Sequence, residues 1–389
     1  MSKKILFCAT VDSHFRAFHI PYLKFFKEQG WEVHVAASGS NPLPYVDLQH
    51  HVPFSRSPYH LNNLKAYLEL KRIMAENQYE IMHFHIPVSA ALGRIVAMKY
   101  RRRGTKVVYT SHGHYYYKGA SILSWILYFP IEKLLAHVTD CLITINEEDY
   151  QLSIKKQRGT RRIEKVLGMG VDLERFGPVS DEEKLSLRKK HGFSESDFIL
   201  IYPAEHNRNK NQKVLIQTIS ILKDKFPNIK LLLPGVGPMS EDYKKLANQL
   251  HLNDYVLFPG FRADIDEWIK LADVSVASSL REGLGLNLIE GMACGKPVVA
   301  VDNRGHREVV REGINGYLTK NNAEDIAKKL LLLAASKGKV AEMGRHSYAL
   351  AQYFGLNNAA QQMKEIYLSM VSNERQEEYE KESAARAQL

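Results

Sequence analysis

Two successive runs of apolar strands alternating with amphipathic helices, split by one glycine-rich break, constrain this chain more than any other feature. In the first run Lys4–Thr10, Glu32–Ala37, Glu80–His85, Lys106–Thr110 and Cys141–Ile145 read as strands. Helical patterns at Phe18–Glu28, Asn62–Glu76, Val88–Tyr100 and Ile122–His137 separate them. The second run repeats the alternation with strands at Phe198–Tyr202, Lys230–Leu233, Val256–Phe258, Val274–Ala277 and Pro297–Val301. Such alternation predicts an α/β fold in which parallel sheets are covered on both faces. Between the runs, Gly168, Gly170, Gly177 and Pro178 interrupt both periodicities, so the interdomain boundary is placed at residues 1–172 and 173–352. A chain of 389 residues is long enough for two domains that each bury a core.

Ligands of parallel sheets bind off the carboxyl ends of the strands, which directs attention to Thr10–His19, Phe84–Val88 and Ser111–Tyr117. The first of these turns contains no glycine. Backbone approach to a pyrophosphate is thereby disfavoured there, and with it a dinucleotide-dependent oxidoreductase. His14, Arg16 and His19 offer side-chain donors for an acceptor instead. At the end of the fourth strand Gly113 lets the chain turn and leaves His112 near the sheet edge. A lone histidine is more often structural. His83 and His85 alternate with Phe84 and read as satisfied polar residues beside the site.

In the second half, Arg281–Pro297 is a glycine-bearing loop running into an apolar helix, with Glu282 at its mouth and Glu290 eight positions on. The first amides of a helix have no partner in the chain and can hold anionic or hydroxyl-rich ligands. The plain alternative is a tight turn at Gly283 and Gly285 with Glu290 solvating a helix face. Against it, a carboxylate among Leu288, Ile289, Met292 and Ala293 requires a partner, and perturbed acids concentrate at sites. The Asp264-Ile265-Asp266 triplet imitates a metal motif, but Asp264 stands just before Trp268–Leu271 as a helix N-cap.

The E-x7-E spacing followed by Gly291-Met292-Ala293 and Gly295-x-Pro297-Val298-Val299-Ala300 resembles the donor signature of glycosyltransferase family 4, retaining enzymes of the GT-B fold. The resemblance covers nearly the whole chain. It implies two Rossmann-like domains facing a cleft, with a helix near 353–370 crossing back to the first domain and a charged tail at 371–389. It further implies that Glu282 touches the transferred sugar and that the loop amides of Gly283, Leu284, Gly285 and Leu286 hold sugar and phosphate oxygens. On the same resemblance Glu290 is expected to bind the ribose hydroxyls. Lys210 matches a lysine that clamps the donor pyrophosphate, whereas Glu205 stands where relatives carry an arginine. Arg208, two residues before Lys210, either replaces that charge or is a solvated loop residue. Gly235 and Gly237 match a turn at the nucleotide pocket, and His112 corresponds to a histidine facing the transferred sugar across the cleft.

The implied reaction moves a hexosyl unit, with retention, from a nucleoside diphosphate sugar, expected to be UDP-linked, to a hydroxyl of a bacterial capsule or exopolysaccharide acceptor. No cofactor and no metal are expected, since Lys210 and loop amides take the leaving-group charge. Two alternatives stay open: a UDP-sugar 2-epimerase on the same fold, and a non-catalytic partner subunit.

The net charge of +10 is concentrated before residue 176, where 24 Lys and Arg face 15 Asp and Glu. That bias suits an anionic membrane surface or lipid phosphate, without a nucleic-acid motif, or else a solubilising surface. The apolar segment Gly119–Ile131 is too short to span a bilayer. With Tyr115–Lys118 and Arg101–Arg103 it reads as a lipid-facing surface for a lipid-linked acceptor, or as an internal helix on the sheet. Three separated cysteines, Cys8, Cys141 and Cys294, indicate a reducing compartment, and the expected location is the cytoplasm, at the inner face of the membrane.

Overall fold

The computed structural model describes residues 3–371, so the expected charged tail lies, from residue 372, outside the described residues. The chain forms two compact units, one made of the chain up to Met169 together with the chain from Asn357, the other spanning Gly170–Leu356.

The first unit is built on seven strands: β1 (Lys4–Val11), β2 (Glu32–Ser38), β3 (Leu48–His51), β4 (Ile81–His85), β5 (Lys106–Ser111), β6 (Cys141–Thr144) and β7 (Arg162–Lys165). They lie in the order β3-β2-β1-β4-β5-β6-β7, all parallel. Ile5 is in register with Val33 on one side and Ile81 on the other, so the chain reverses its direction of travel across the sheet between β1 and β4. The central strands are Val-, Ile- and Leu-rich because both of their faces are covered. Phe84 packs on one side with Leu70, Ile73, Met74 and Ala97. On the other side Tyr367 meets Phe26 at 4.9 Å between ring centroids, and its hydroxyl lies 2.6 Å from His83 Nδ1.

Tyr367 belongs to the last described helix, Leu356–Val371, which is therefore part of the first unit. Leu167 N–H also donates to Gln362 Oε1 (3.0 Å). The sequence pattern begins this helix at Tyr353, but Gln352–Phe354 forms a separate 3₁₀ turn.

One expected loop is helical. Thr10–His19 contains the helix Asp12–Phe18, and a second helix follows at Ile20–Glu28. Pro21, lacking an N–H, starts a helix but cannot continue one, and this separates the two at His19.

The helix Ile122–Ala136 does not fill a core. It buries only Glu132, Leu135 and Ala136, while Ile122, Ile126 and Leu134 are 78%, 63% and 72% exposed. A buried ion pair anchors it, Arg94 Nη2 donating to both Glu132 oxygens (2.8 and 2.9 Å) with the guanidinium 4.0 Å over the Tyr109 ring. The internal-helix reading is thereby corrected. Among the described residues, no helix is long and apolar enough to cross a membrane.

The second unit holds β8 (Phe198–Ile201), β9 (Ile229–Leu232), β10 (Val256–Leu257), β11 (Val274–Ala277), β12 (Val298–Val301) and β13 (Gly316–Thr319), parallel and in the order β10-β9-β8-β11-β12-β13. Here the reversal falls between β8 and β11. The helix Leu286–Ala293 buries Leu288, Ile289, Met292 and Ala293. Gly291 permits its approach to the sheet, since a Cβ there would fall 2.5 Å from Ser275 Cβ on β11.

Candidate active site

The loops leaving β8 and β11 are tied together where their strands meet. Asn207 Oδ1 accepts from Lys210 N–H (2.9 Å), Ser278 Oγ donates to Lys210 O (2.8 Å), Leu280 N–H donates to Asn209 O (2.8 Å), and Asn209 Nδ2 donates to Arg281 O (2.9 Å). This bracing brings Lys210 Nζ to 2.6 Å from Glu282 Oε1, with both side chains largely shielded from solvent. Arg304 Nε donates to Glu282 O (3.2 Å), and Gly305 packs so closely that a Cβ would lie 2.7 Å from Glu282 Cβ.

The turn after β9 closes on the same loop. Gly235 adopts φ +140°, a conformation that L side chains rarely adopt, and a Cβ on it would sit 2.0 Å from Ala204 O. A Cβ on Gly237 would meet His206 O at 2.4 Å. Both glycines thus let the β9 turn support the Lys210 loop from beneath.

Gly283 and Leu284 lead to Gly285 at the N-cap of the helix Leu286–Ala293, where no side chain caps the first turn. Opposite Gly285 stands His306, whose Cδ2 would be 3.1 Å from an added Cβ. His306 Nδ1 lies 2.6 Å from Val301 O, while its buried Nε2 has no partner among the described residues. His306 is a site residue not singled out from the sequence; the signal for it is a histidine three residues after Asn303, which caps the helix Arg304–Val309.

Glu290, on the second turn of that helix, is half-buried and has no hydrogen-bond or ion-pair partner among the described residues. Burial raises its carboxyl to about 7, against the opposing pull of the Arg175 guanidinium. The partner that a carboxylate in this position requires is not supplied by the described residues.

Arg208 is exposed and likewise makes no hydrogen bond or ion pair there, and Glu205 is exposed beside it, accepting from Asn207 Nδ2 (3.1 Å). Asp264 sits at a helix N-cap position without capping, because Arg262 takes both of its oxygens (2.8 and 2.6 Å). Asp266 pairs with Arg175 and Lys270.

In the first unit the helix Asp12–Phe18 carries His14 and Arg16. Arg16 is exposed and donates to Pro42 O. His19, read from the sequence as a donor for an acceptor, is 1% exposed and lies behind the helix that carries His14. His112 is half-buried at the turn where Gly113 takes φ +125°, and its Nε2 is 3.3 Å from His85 Nδ1. Desolvation lowers His112 to about 4. His83 is satisfied on both nitrogens, by Tyr367 and Thr110, whereas His85 turns toward His112.

Two α/β units, each built on a parallel sheet, are the architecture of the GT-B fold, and comparison with known proteins gives the class of enzyme. Residues 22–175 match the model of Glycosyltransferase Family 4, and residues 183–349 match that of Glycosyl transferases group 1. The chain belongs to the glycosyltransferases. It is 50% identical over 368 residues to EpsD of Bacillus subtilis (strain 168), whose name carries a provisional glycosyltransferase assignment, covering 94% of this chain and 97% of that one. It is 25% identical to the UDP-Gal:alpha-D-GlcNAc-diphosphoundecaprenol alpha-1,3-galactosyltransferase of Escherichia coli, over 80% of this chain and 81% of that one. The structure of Anabaena Alr3699/HepE in complex with UDP and glucose shares the fold, with a TM-score of 0.77 at 21% identity over 94% of this chain and 100% of that one.

Proposed function

We propose that the protein transfers a hexosyl unit, with retention at the anomeric carbon, from a UDP-sugar to a hydroxyl of a growing, lipid-linked surface or extracellular polysaccharide. The observation that carries this reading is the Lys210–Glu282 pair at the β8/β11 switch point. In the proposed arrangement the donor diphosphate draws Lys210 from Glu282, which is then free to accept hydrogen bonds from the sugar. The unpartnered Glu290 carboxylate takes the ribose hydroxyls, and the uncapped helix start supplies amides to sugar and phosphate oxygens, that of Leu286 turning to the ligand from Leu284 O, to which it donates at 2.9 Å in the free protein. Arg208 adds a second positive charge to the diphosphate.

In the reaction the bond from the anomeric carbon to the diphosphate oxygen breaks as the acceptor oxygen bonds to that carbon from the same face. The acceptor proton passes to the departing diphosphate oxygen, and UDP leaves. Preorganised positive charge where the leaving group gains electrons lowers the barrier, and that role is assigned to Lys210. His112, held neutral, is assigned to the transferred sugar, and His14 and Arg16 to the acceptor.

A UDP-linked donor and a diphosphoundecaprenol-linked acceptor both appear in the name of the Escherichia coli relative. The exposed apolar face of the helix Ile122–Ala136 supports a location at the cytoplasmic face of the membrane, since a contiguous apolar patch of this kind marks a lipid or protein contact. Arg102 and Arg103 are exposed and add positive charge; Arg101 is not available for lipid, being paired with Asp140 at 2.9 Å. Product analysis of UDP-sugars incubated with and without lipid-linked acceptors tests the reading. Acceptor-dependent release of UDP with an axial-to-axial or equatorial-to-equatorial product supports it, and an epimerised UDP-sugar formed without acceptor overturns it.

A further inference from the structure

Four histidines distant in sequence converge at the carboxyl edge of the first sheet. His14 comes from the helix after β1, His19 from the break behind that helix, His85 from the end of β4, and His112 from the turn after β5. Because β1, β4 and β5 are adjacent strands, their outgoing segments meet over the switch point of this unit. One ring nitrogen from each of the four lies within 4.8 Å of those of the other three. Ring centroids are 4.2 Å apart for His19 and His85, 4.9 Å for His14 and His19, and 5.0 Å for His14 and His112.

These rings are not satisfied by the protein. Both nitrogens of His19, Nε2 of His85 and Nε2 of His14 are buried and have no hydrogen-bond partner among the described residues. His19 and His85 are each 1% exposed. A buried polar atom left unpaired costs about 1–3 kcal/mol, and one shared partner can meet one such nitrogen from each of His14, His19 and His85. Neighbouring His83, bonded at both nitrogens, shows how this sheet satisfies a histidine with a purely structural role.

The character of that partner follows from the rings. Burial keeps them neutral, with His14 lowered to about 3, His112 to about 4, and His19 and His85 well below the ordinary histidine range. Neutral imidazoles carry lone pairs and no positive charge, which suits a cation of intermediate softness and does not attract an anion. The set contains no carboxylate, so magnesium and calcium, which prefer oxygen, are poorly served.

We propose that His14, His19, His85 and His112 form a binding site for a divalent transition metal of the zinc class. Tetrahedral zinc with bonds of about 2.0–2.1 Å sets neighbouring nitrogens roughly 3.4 Å apart. His85 Nδ1 and His112 Nε2 already stand at 3.3 Å, in place of their mutual hydrogen bond; ligation through the unpartnered His85 Nε2 instead needs that ring to turn, and side-chain rotation within the 4.8 Å set brings in the others. A bound ion would occupy lone pairs of His14 and His112, so loading suppresses sugar transfer and a chelator restores it. This last consequence rests on the roles given to His14 and His112 above; the binding does not.

The test uses the full chain without a histidine tag, stripped with chelator and titrated with Co²⁺ under visible absorption, with Zn²⁺ as competitor and metal content measured after dialysis. One Co²⁺ per chain with intense tetrahedral d–d bands, displaced by Zn²⁺, is expected. Binding should weaken at least tenfold in His14→Gln and in His112→Gln, whose rings are only half-buried and whose folding is checked by circular dichroism. It should be unchanged in His191→Gln, which removes the histidine of the other His-carboxylate group, His191, Asp264 and Glu267. Absence of stoichiometric binding, or binding lost with His191→Gln and kept in the other two variants, overturns the site. Binding at the site without inhibition of transfer overturns the roles given to His14 and His112 and leaves the metal site standing.

Discussion

Lys210 Nζ lies 2.6 Å from Glu282 Oε1, joining the loops that leave two strands adjacent in the second sheet but far apart in sequence. The two are ion-pair partners in a partly shielded position, and the proposed donor would give each of them a new partner. The proposed sugar diphosphate donor would offer an anion to the lysine and hydroxyls to the glutamate.

Lys210→Ala is expected to lower kcat on the order of 10²–10³-fold, the range seen when one preorganised transition-state donor is removed. Steady-state kinetics check this, with thermal melting as a control because the variant also leaves Glu282 without its cation. Unchanged kcat would remove Lys210 from the leaving-group side.

Donor affinity should depend on pH through Glu290. Its carboxyl is raised to about 7 by burial, so the ionised form that accepts both ribose hydroxyls develops only as pH rises through that value. Affinity for a UDP-sugar should therefore climb between pH 6 and 8, with a proton released on binding, and Glu290→Gln should flatten the climb. A UDP-sugar is preferred to UDP as probe, because a terminal phosphate itself titrates near about 6. In the free protein the sign is opposite. A carboxyl whose folded value is raised removes stability as pH climbs from the ordinary carboxylate range to about 7, and the same variant should abolish that loss.

Much of this architecture can be read directly from residue pattern, and the exceptions share a cause. The central strands announce themselves through runs such as Ile5-Leu6-Phe7 and Val298-Val299-Ala300-Val301, because burial on both faces demands apolar residues throughout. The strands that pattern does not reveal, Leu48–His51, Arg162–Lys165 and Gly316–Thr319, all lie at sheet edges. Two of these edge strands are half-solvated and polar, so Leu48-Gln49-His50-His51 and Arg162-Ile163-Glu164-Lys165 carry little apolar signal, whereas Gly316–Thr319 is mostly buried and is hidden by its shortness and its leading glycine. At the site, Glu282, Glu290 and Lys210 were legible as chemistry-bearing residues, but the pairing of Lys210 with Glu282 spans 72 positions and depends on strand order. The burial of His19 is hidden for a related reason: the short helix Asp12–Phe18 precedes it, and no sequence pattern marks that helix. The meeting of His14 with His112 has no local pattern at all.

Turnover is expected to survive EDTA. Asp264 and Asp266 are committed to Arg262, Arg175 and Lys270, and the diphosphate charge is assigned to Lys210 and amides. Activity abolished by chelation and restored by Mn²⁺ would contradict this assignment.

Vesicle binding should combine charge with the apolar helix. At low salt the protein should co-sediment with anionic vesicles, and salt should release it, since exposed charges are screened over about 10 Å at 0.1 M. Replacing Arg102 and Arg103 with Ser should weaken binding by about 1 kcal/mol per residue, and Ile122→Ser with Ile126→Ser should weaken it further. Nucleotide affinity should be untouched, because these residues belong to the other unit. Failure to co-sediment at low salt would leave the exposed face to a protein partner.

The central claim, that the second unit holds a nucleoside diphosphate through Lys210 and Glu290, is tested most directly by calorimetric titration of UDP and of the other nucleoside diphosphates. The account predicts that UDP binds and that Glu290→Gln, folded as shown by its melting profile, weakens it about 10- to 100-fold, as expected from losing a charged hydrogen-bond acceptor contributing about 1.5–3 kcal/mol. UDP affinity equal in the wild type and the folded variant, or no heat from any nucleoside diphosphate, would contradict it.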